Sequence, residues 1–565
     1  MSSETPQPEY LDGEPSEPSR SGRRWGLVAG ATVGVLAVAG AGAWGVSTLL
    51  GGGPGAAVAA PADTLAFLAV DLDPGAGQKV EAYKTLKKFP ALADRLGGEE
   101  NLRRSLVEAF LTDAPCDDLT WNDDFEPWLG QRLGAGVRPG GDEPVPFVVV
   151  QVTDETKATD AVEEIAACGE EDPELPGMAF VEDYMVLAED DETAEGVAKA
   201  SAESSLADDD GYTTWVDEAG GGGIVTGYLA AEGPKLLLEE FGDFGEDATA
   251  GTVAGRVAPA TGELDDPSDL ATMTPEELEE QLGELEMEDD TDLDLDPGPD
   301  FMEPDVDQLR EAFEEFEGAA VVARFDDGAL EVEAAMSAVG ELDPSEASDS
   351  GLSELPATTA VALGLGVGDS VVEDMLASMA ESMGQDAVDE LVDQVEAETG
   401  LTPEKLQELL GDGVSVALDS SVDLESIFSS SSGIDVPAGI RIDGDPDTIL
   451  PVLEELVTAA GADGVLQVES SDSAVAVGFD ADYVAELVGD GDLGGQDGFK
   501  SALPDLGDSA GGFFVDFDAG DWLEPALESD GDEELKANFE PLDSLGATGE
   551  LDGDVVRGVL RLSTD

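Results

Sequence analysis

The chain contains no histidine and only two cysteines, Cys116 and Cys168, in 565 residues. Without imidazole it lacks the commonest general base and the commonest metal ligand at neutral pH. Two thiols alone do not complete a tetrahedral zinc site. Positive charge is scarce as well: 24 Lys and Arg stand against 130 Asp and Glu, a formal net charge of −106. A phosphate backbone must be met by cations, so nucleic acid is excluded as a partner. Such a charge keeps a protein soluble and repels acidic surfaces; a surface adapted to salt explains it more simply than a dedicated cation or basic-partner site. Aromatics make up only 5%, but apolar residues reach 41%, enough to build cores. The length exceeds one ordinary core, so two or more domains are expected. No cofactor is expected.

Residues 25–50 form a mostly apolar run that carries no charge. Its 26 residues exceed the roughly 20 apolar residues of a membrane-spanning helix and the about 7–15 of a cleaved signal core. Arg20, Arg23 and Arg24 precede it, and the next basic residue is Lys79. Basic residues stay inside. The expectation is therefore a single-pass cell-membrane protein in contact with the lipid bilayer through residues 25–50. Its N-terminus is cytoplasmic and its C-terminal body extracytoplasmic. The rival is cleavage at Ala57-Val58-Ala59 after a twin-arginine-like signal. Gly26, Gly30 and Gly34 fall four apart, a spacing that permits weak homodimerisation, although a segment simply rich in Gly and Ala reads the same way.

Beyond this run the pattern turns globular. Strands are expected at 65–72, 147–152, 184–188 and 223–229, and helices around Val80, Tyr83, Leu86 and Phe89 and over 158–167. Strands 319–325 and 329–336 flank Asp327-Gly328, a tight hairpin signal. The second half repeats the order. Pro61-Ala-Asp-Thr-Leu-Ala is echoed by Pro356-Ala-Thr-Thr-Ala-Val, Leu129-Gly130 by Leu410-Gly411, and Val145-Pro146 by Val436-Pro437. Gly211-Tyr212 is echoed by Gly498-Phe499, and Asp327-Gly328 by Asp552-Gly553. The spacing shortens by 62 residues before the last pair, which implies an insert in the first copy; residues 263–317 hold 24 acids and one base, Arg310.

The expected fold class is α+β: one N-terminal transmembrane helix followed by two related copies of an antiparallel sheet with packed helices. The expected division is 1–24 disordered cytoplasmic tail, 25–50 transmembrane signal anchor, and 51–60 linker. Then come 61–340 first exported repeat (acidic disordered insert about 263–304), 341–355 linker, and 356–565 second exported repeat.

The chain has Pro61-Ala-Asp-Thr-Leu-Ala-Phe, Asp71-Leu-Asp-Pro74, Gln78-Lys79, Lys88-Phe89-Pro90 and Pro127-Trp128-Leu129-Gly130 after the apolar run. In these motifs it resembles a family of membrane-anchored proteins from high-G+C Gram-positive bacteria, known only as a domain of unknown function (number thirty-three fifty-two). The resemblance covers most of the chain after the apolar run. It implies no activity, cofactor or site residue.

Candidate chemistry is sparse. Asp292, Asp294, Asp296 and Glu303 stand at positions 1, 3, 5 and 12 of a calcium loop, but Pro297 occupies the position that needs Gly; a solvated charge run reads the same way. Seven of the 21 basic residues after the apolar run lie together: Lys79, Lys84, Lys87, Lys88, Arg95, Arg103 and Arg104. They form either a patch for anionic polymers or a solvated helix face paired with the chain's own acids. Gly220 to Gly223 precede a strand rather than a helix, so they read as a turn and not as a phosphate cradle. Gly507-Asp508-Ser509-Ala510-Gly511 matches the nucleophile elbow of serine hydrolases. A serine needs an adjacent base, this chain has no histidine, and a strand rather than a helix follows, so Ser509 is expected in a turn. Cys116 and Cys168 are expected to form a disulfide outside the cytoplasm. The expected role is non-enzymatic: binding an envelope protein or polymer, or organising the surface. The alternatives are a lipid or ligand carrier with a groove between the repeats, and a carboxylate-dependent hydrolase.

Overall fold

Short runs of Val, Ala, Leu and Phe punctuated by Gly, Asp and Pro make strands here. Strands must pair, because each leaves alternate backbone N–H and C=O groups open. The computed structural model describes residues 55–71, 81–90 without 83, 104, 107, 119–141, 144–166, 175–235, 315–338 without 327, 350–423 without 369, and 436–565 without 460, 463, 464, 505, 510, 526 and 528–532. These all fall in one compact unit, residues 1–236 with 315–565; a second unit, 237–314, lies outside them.

The first half contributes β1 (Ala66–Asp71), β2 (Leu129–Arg138), β3 (Val145–Val152), β4 (Gly177–Val181), β5 (Tyr184–Ala188), β6 (Val225–Ala230), β7 (Gly318–Asp326) and β8 (Ala329–Ser337). The second contributes β9 (Thr359–Gly366), β10 (Gly413–Asp419), β11 (Ala438–Asp443), β12 (Gln467–Ser470), β13 (Ala474–Gly478), β14 (Gly511–Asp516), β15 (Leu542–Asp552) and β16 (Val555–Thr564). Within the first half the strands lie in the order β8-β7-β6-β1-β2-β3-β5-β4, and within the second β16-β15-β14-β9-β10-β11-β13-β12. The two orders are the same. The halves join where β16 pairs antiparallel with β8, giving one 16-stranded sheet. The joint is a local two-fold. Equating the hairpin glycines Gly328 and Gly553 sends the pair Glu333 and Val559 onto Gly558 and Ala334, which also pair. Both glycines have positive φ, +87° and +62°, as tight hairpin turns require.

The helices are α1 (Glu155–Ala166), α2 (Asp191–Glu203), α3 (Asp210–Glu218), α4 (Val371–Met383), α5 (Gln385–Thr399), α6 (Pro403–Leu410), α7 (Pro446–Ala459), α8 (Ala481–Leu487), α9 (Asp497–Ala502) and α10 (Glu533–Phe539). Their starts are set locally. The side chains of Asp190, Asp209, Thr402 and Asp480 accept hydrogen bonds from the first-turn N–H groups of α2, α3, α6 and α8. On one face of the sheet, α2 and α3 cover Phe67, Phe147, Val186 and Val322, while α8 and α9 cover Ala417, Ala476 and Phe514. An edge-on aromatic pair ties each half together at the same place: Tyr212 of α3 with Tyr228 of β6 at 5.2 Å, and Phe499 of α9 with Phe514 of β14 at 5.0 Å.

The expected architecture is corrected in two respects. The sheet is one, not two, because the last strand of each half would otherwise be an open edge, and β8 and β16 satisfy one another. Among the described residues, no helix is long and apolar enough to cross a membrane. The longest, α5, has 15 residues, six of them acidic, and an amphipathic acidic helix is suited to one buried face rather than to a bilayer. The transmembrane, single-pass and signal-anchor assignments are therefore not carried forward; the run 25–50 on which they rested lies outside the described residues.

Candidate functional site

A strand alternates its side chains between two faces, so the helix-covered face accounts for only half of each strand. The other half carries an apolar row across the whole sheet. One lateral row starts at Val468 on β12 and passes through Val477, Ile440, Val416, Leu363, Phe513, Ala547 and Leu560 on successive neighbouring strands. It crosses the joint to Val332 and continues through Ala323, Val225, Val70, Leu133, Val150 and Met185 to Phe180 on β4. Every position of the row is apolar.

The outer parts of this face are covered. In the first half Met185 and Val152 pack under Ala158, Ala161 and Val162 of α1 and under Trp121, Phe125 and Trp128. Ala82 and Leu86 cover Phe325 and Leu330. In the second half α7 covers Ile442, Val475 and Val477 with Ile449 and Leu453. Between these covers Leu363 and Leu365 of β9, Val416 of β10 and Ile440 of β11 stand 47%, 56%, 46% and 38% exposed. Leu363, Val416 and Ile440 are direct lateral neighbours, so they form one patch. Large aliphatics left about half exposed on adjacent strands forgo roughly half of the about 1.5–3 kcal/mol that full burial contributes.

The helix side of the same joint is ionic. Arg561 of β16 pairs with Glu331 of β8 and reaches Asp326 at 3.3 Å. Arg324 of β7 bridges Glu331 at 2.5 Å and Glu333, and Arg557 of β16 pairs with Glu218 of α3. The joint is thus locked on one face by charge and left apolar on the other.

The one group of metal-ligand type among the described residues is Asp518, Asp543 and Asp565, each offering an oxygen within 4.8 Å of the others, at the ends of β14, β15 and β16. Asp543 accepts from Ser563 Oγ at 3.0 Å and Ser544 Oγ at 3.2 Å. Partial burial, with the charges of Asp565, Asp543 and Asp516 close by, pushes the Asp518 carboxyl up to about 6. Burial raises Asp516 too, against the backbone N–H groups of Asp518 and Ala519. Chemically this cluster can share a proton or hold a cation.

Most residues singled out from the sequence are not brought to either place. Asp292, Asp294, Asp296, Glu303, Cys116, Cys168, Gly26, Gly30 and Gly34 lie outside the described residues, as do Lys79, Arg95 and Arg103. Lys88 donates from Nζ to the Thr564 carbonyl at 3.0 Å and to its hydroxyl at 2.9 Å, so it is engaged by the end of β16. Gly220 to Gly223 lie in the turn between α3 and β6. Ser509 follows a short 3-10 turn, Leu506–Asp508, and leads into β14; its N–H donates to the Leu506 carbonyl at 3.0 Å. Leu363, Leu365, Val416 and Ile440 were not singled out. Their available signal was an uninterrupted apolar run, Ala360-Val-Ala-Leu-Gly-Leu365, which reads as a strand covered on both faces.

Comparison of the chain with family models, curated proteins and solved structures finds no match.

Proposed function

We propose that the protein is a non-enzymatic binding protein that receives an apolar partner or ligand on the open face of its sheet. The observation that carries this reading is the patch of Leu363, Leu365, Val416 and Ile440 on three adjacent strands. In a chain with 130 acidic residues, polar side chains were plentiful for these positions. A contiguous exposed apolar surface in such a molecule marks an interaction site. A second reading, carriage of a lipid or similar ligand in a groove between the halves, is favoured by the apolar row that crosses the β16–β8 joint without a polar break.

The test is binding of a fluorescent apolar probe to the full chain. Leu363→Asp and Val416→Asp should each weaken it at least about tenfold, a loss of about 1.4 kcal/mol, without changing the circular dichroism. Val465→Asp, at a residue 61% exposed outside the lateral rows that form the patch, should leave it unchanged. Binding indifferent to Leu363→Asp and Val416→Asp would rule out the face. Lipid recovered from the purified native protein but not from Val416→Asp would favour carriage; a crosslinked protein lost on the same substitution would favour partner binding.

A further inference from the structure

Among the described residues the sheet ends on two edges, β12 and β4. They are not alike. β12 reads Gln-Val-Glu-Ser, and its Glu469 and Ser470 are exposed. A charge on an edge strand opposes pairing with another chain. β4 reads Gly-Met-Ala-Phe-Val and carries no charge.

The open side of β4 also has the hydrogen-bonding pattern of an incomplete ladder. β4 and β5 are joined by the two residues Glu182 and Asp183, and Val181 pairs with Tyr184. A two-residue hairpin makes that closing pair hydrogen-bonded, so by alternation Phe180 and Met178 turn their N–H and C=O groups away from β5. The Met178 N–H donates to Asp191 Oδ1 at 3.2 Å. The Phe180 N–H and C=O have no partner among the described residues.

Beside this edge lies a groove of about 410 Å³. Residues 178–181 of β4 form one wall, and Glu195, Ala198, Lys199 and Ala202 of α2 form the other. Those four fall at helical positions i, i+3, i+4 and i+7, so a single face of α2 runs alongside the strand. Two alanines on that face leave room for an incoming side chain. An open strand edge flanked by a helix face is the geometry of strand addition, in which backbone pairing supplies affinity and alternate side chains supply selectivity.

The electrostatics select the occupant. Lys199 is matched by Glu203 at 4.0 Å, while Glu195 has no ion pair among the described residues. With a net charge of −106 on the chain, a second copy brought edge to edge would be opposed by repulsion, and a basic segment would be attracted. We propose that the β4 edge and α2 form a strand-addition groove for an extended peptide segment of a partner protein, with apolar residues at alternate positions and basic residues between them. This surface is separate in sequence and in strand order from the β9–β11 patch, so its test is independent of that reading.

The probe is a labelled heptapeptide of alternating Lys and Val, titrated into the full chain. Saturable binding is expected. Ladder hydrogen bonds involve every second residue of a strand, so N-methylation of one alternate set of amides should weaken binding about tenfold or more, and methylation of the other set should not. Ala202→Trp fills the groove from an exposed helical position and should cause a similar loss, with Ala202→Ser as the conservative control that retains binding. Alternating Glu and Val should not bind. Equal tolerance of both methylated sets, unchanged binding to Ala202→Trp, or equal binding of the acidic peptide would overturn the proposal. So would the absence of peptide binding together with a dimer in sedimentation that Ala202→Trp dissolves.

Discussion

Arg441 on β11 is 2% exposed, yet every part of its guanidinium is engaged. It donates to Asp443 at 2.9 Å, to Glu354 at 2.5 Å, and to the carbonyls of Leu487 and Gly489 at 2.9 Å each. A buried cation is tolerated only with such a set. Removing it leaves Asp443 and two carbonyls without their donor, so Arg441→Ala should cost about 3 kcal/mol, read as a fall in the urea midpoint at constant slope. Asp518 makes a second residue-scale prediction with the opposite sign. Its carboxyl is held near 6, above its unfolded value, by partial burial and by the charges of Asp565, Asp543 and Asp516. The folded state therefore binds the proton more tightly than the unfolded one, and this group's contribution to stability falls as pH rises from about 4 to about 6. Asp518→Asn should stabilise the protein at pH 7, by about 1 kcal/mol once solvent screening is allowed for. The gain should vanish in melts below about pH 4; a gain that is the same at both pH values would show that charge is not the cause.

At the scale of elements, strands such as β1, β3 and β9 carry apolar side chains on both faces, and the helices cover them unevenly. Phe67 of β1 and Phe147 of β3 stack at 6.4 Å beneath the helices, both essentially without solvent contact. Phe67→Ala should therefore destabilise by about 3–5 kcal/mol, whereas Leu363→Ala, on the open face of β9, should cost less than about 1 kcal/mol. Equal costs at the two positions would mean that the β9 face is covered in solution. Part of this was legible beforehand. The strands expected at 65–72, 147–152 and 184–188 are found at Ala66–Asp71, Val145–Val152 and Tyr184–Ala188, and the hairpin around Gly328 has the expected turn. Period-two patterning and turn chemistry are local, so the sequence carries them. Which face of β9 lacks a helix is not local, and an uninterrupted apolar run such as residues 360–365 fits a strand covered on both sides equally well.

For the whole molecule, the governing quantities are the continuous sheet and the net charge. Because β8 and β16 pair along eight positions and their joint is reinforced by Arg561, Arg324 and Arg557, the two halves should unfold together. Far-ultraviolet circular dichroism and tryptophan fluorescence should give one coincident transition in urea; two separated transitions would mean that the halves are independent. A charge of −106 repels itself within the folded volume. Salt shortens the Debye length from about 30 Å at 0.01 M to about 3 Å at 1 M, so Tm should climb steadily over that range. A Tm that falls with salt would show that the ionic joint outweighs the repulsion.

Composition and spacing along the chain were enough to rule out imidazole chemistry and to predict a strand-bearing body punctuated by glycine turns. Neither needs three-dimensional information. The folded molecule was needed to show that the two halves share one sheet and that Leu363, Val416 and Ile440 meet in solvent. Pairing of β8 with β16 joins residues more than 200 positions apart, and the patch joins three strands, of which β9 and β10 are separated by α4, α5 and α6. Lateral contact in a sheet is set by backbone hydrogen bonds between distant segments, a partnership that no local pattern of side chains encodes.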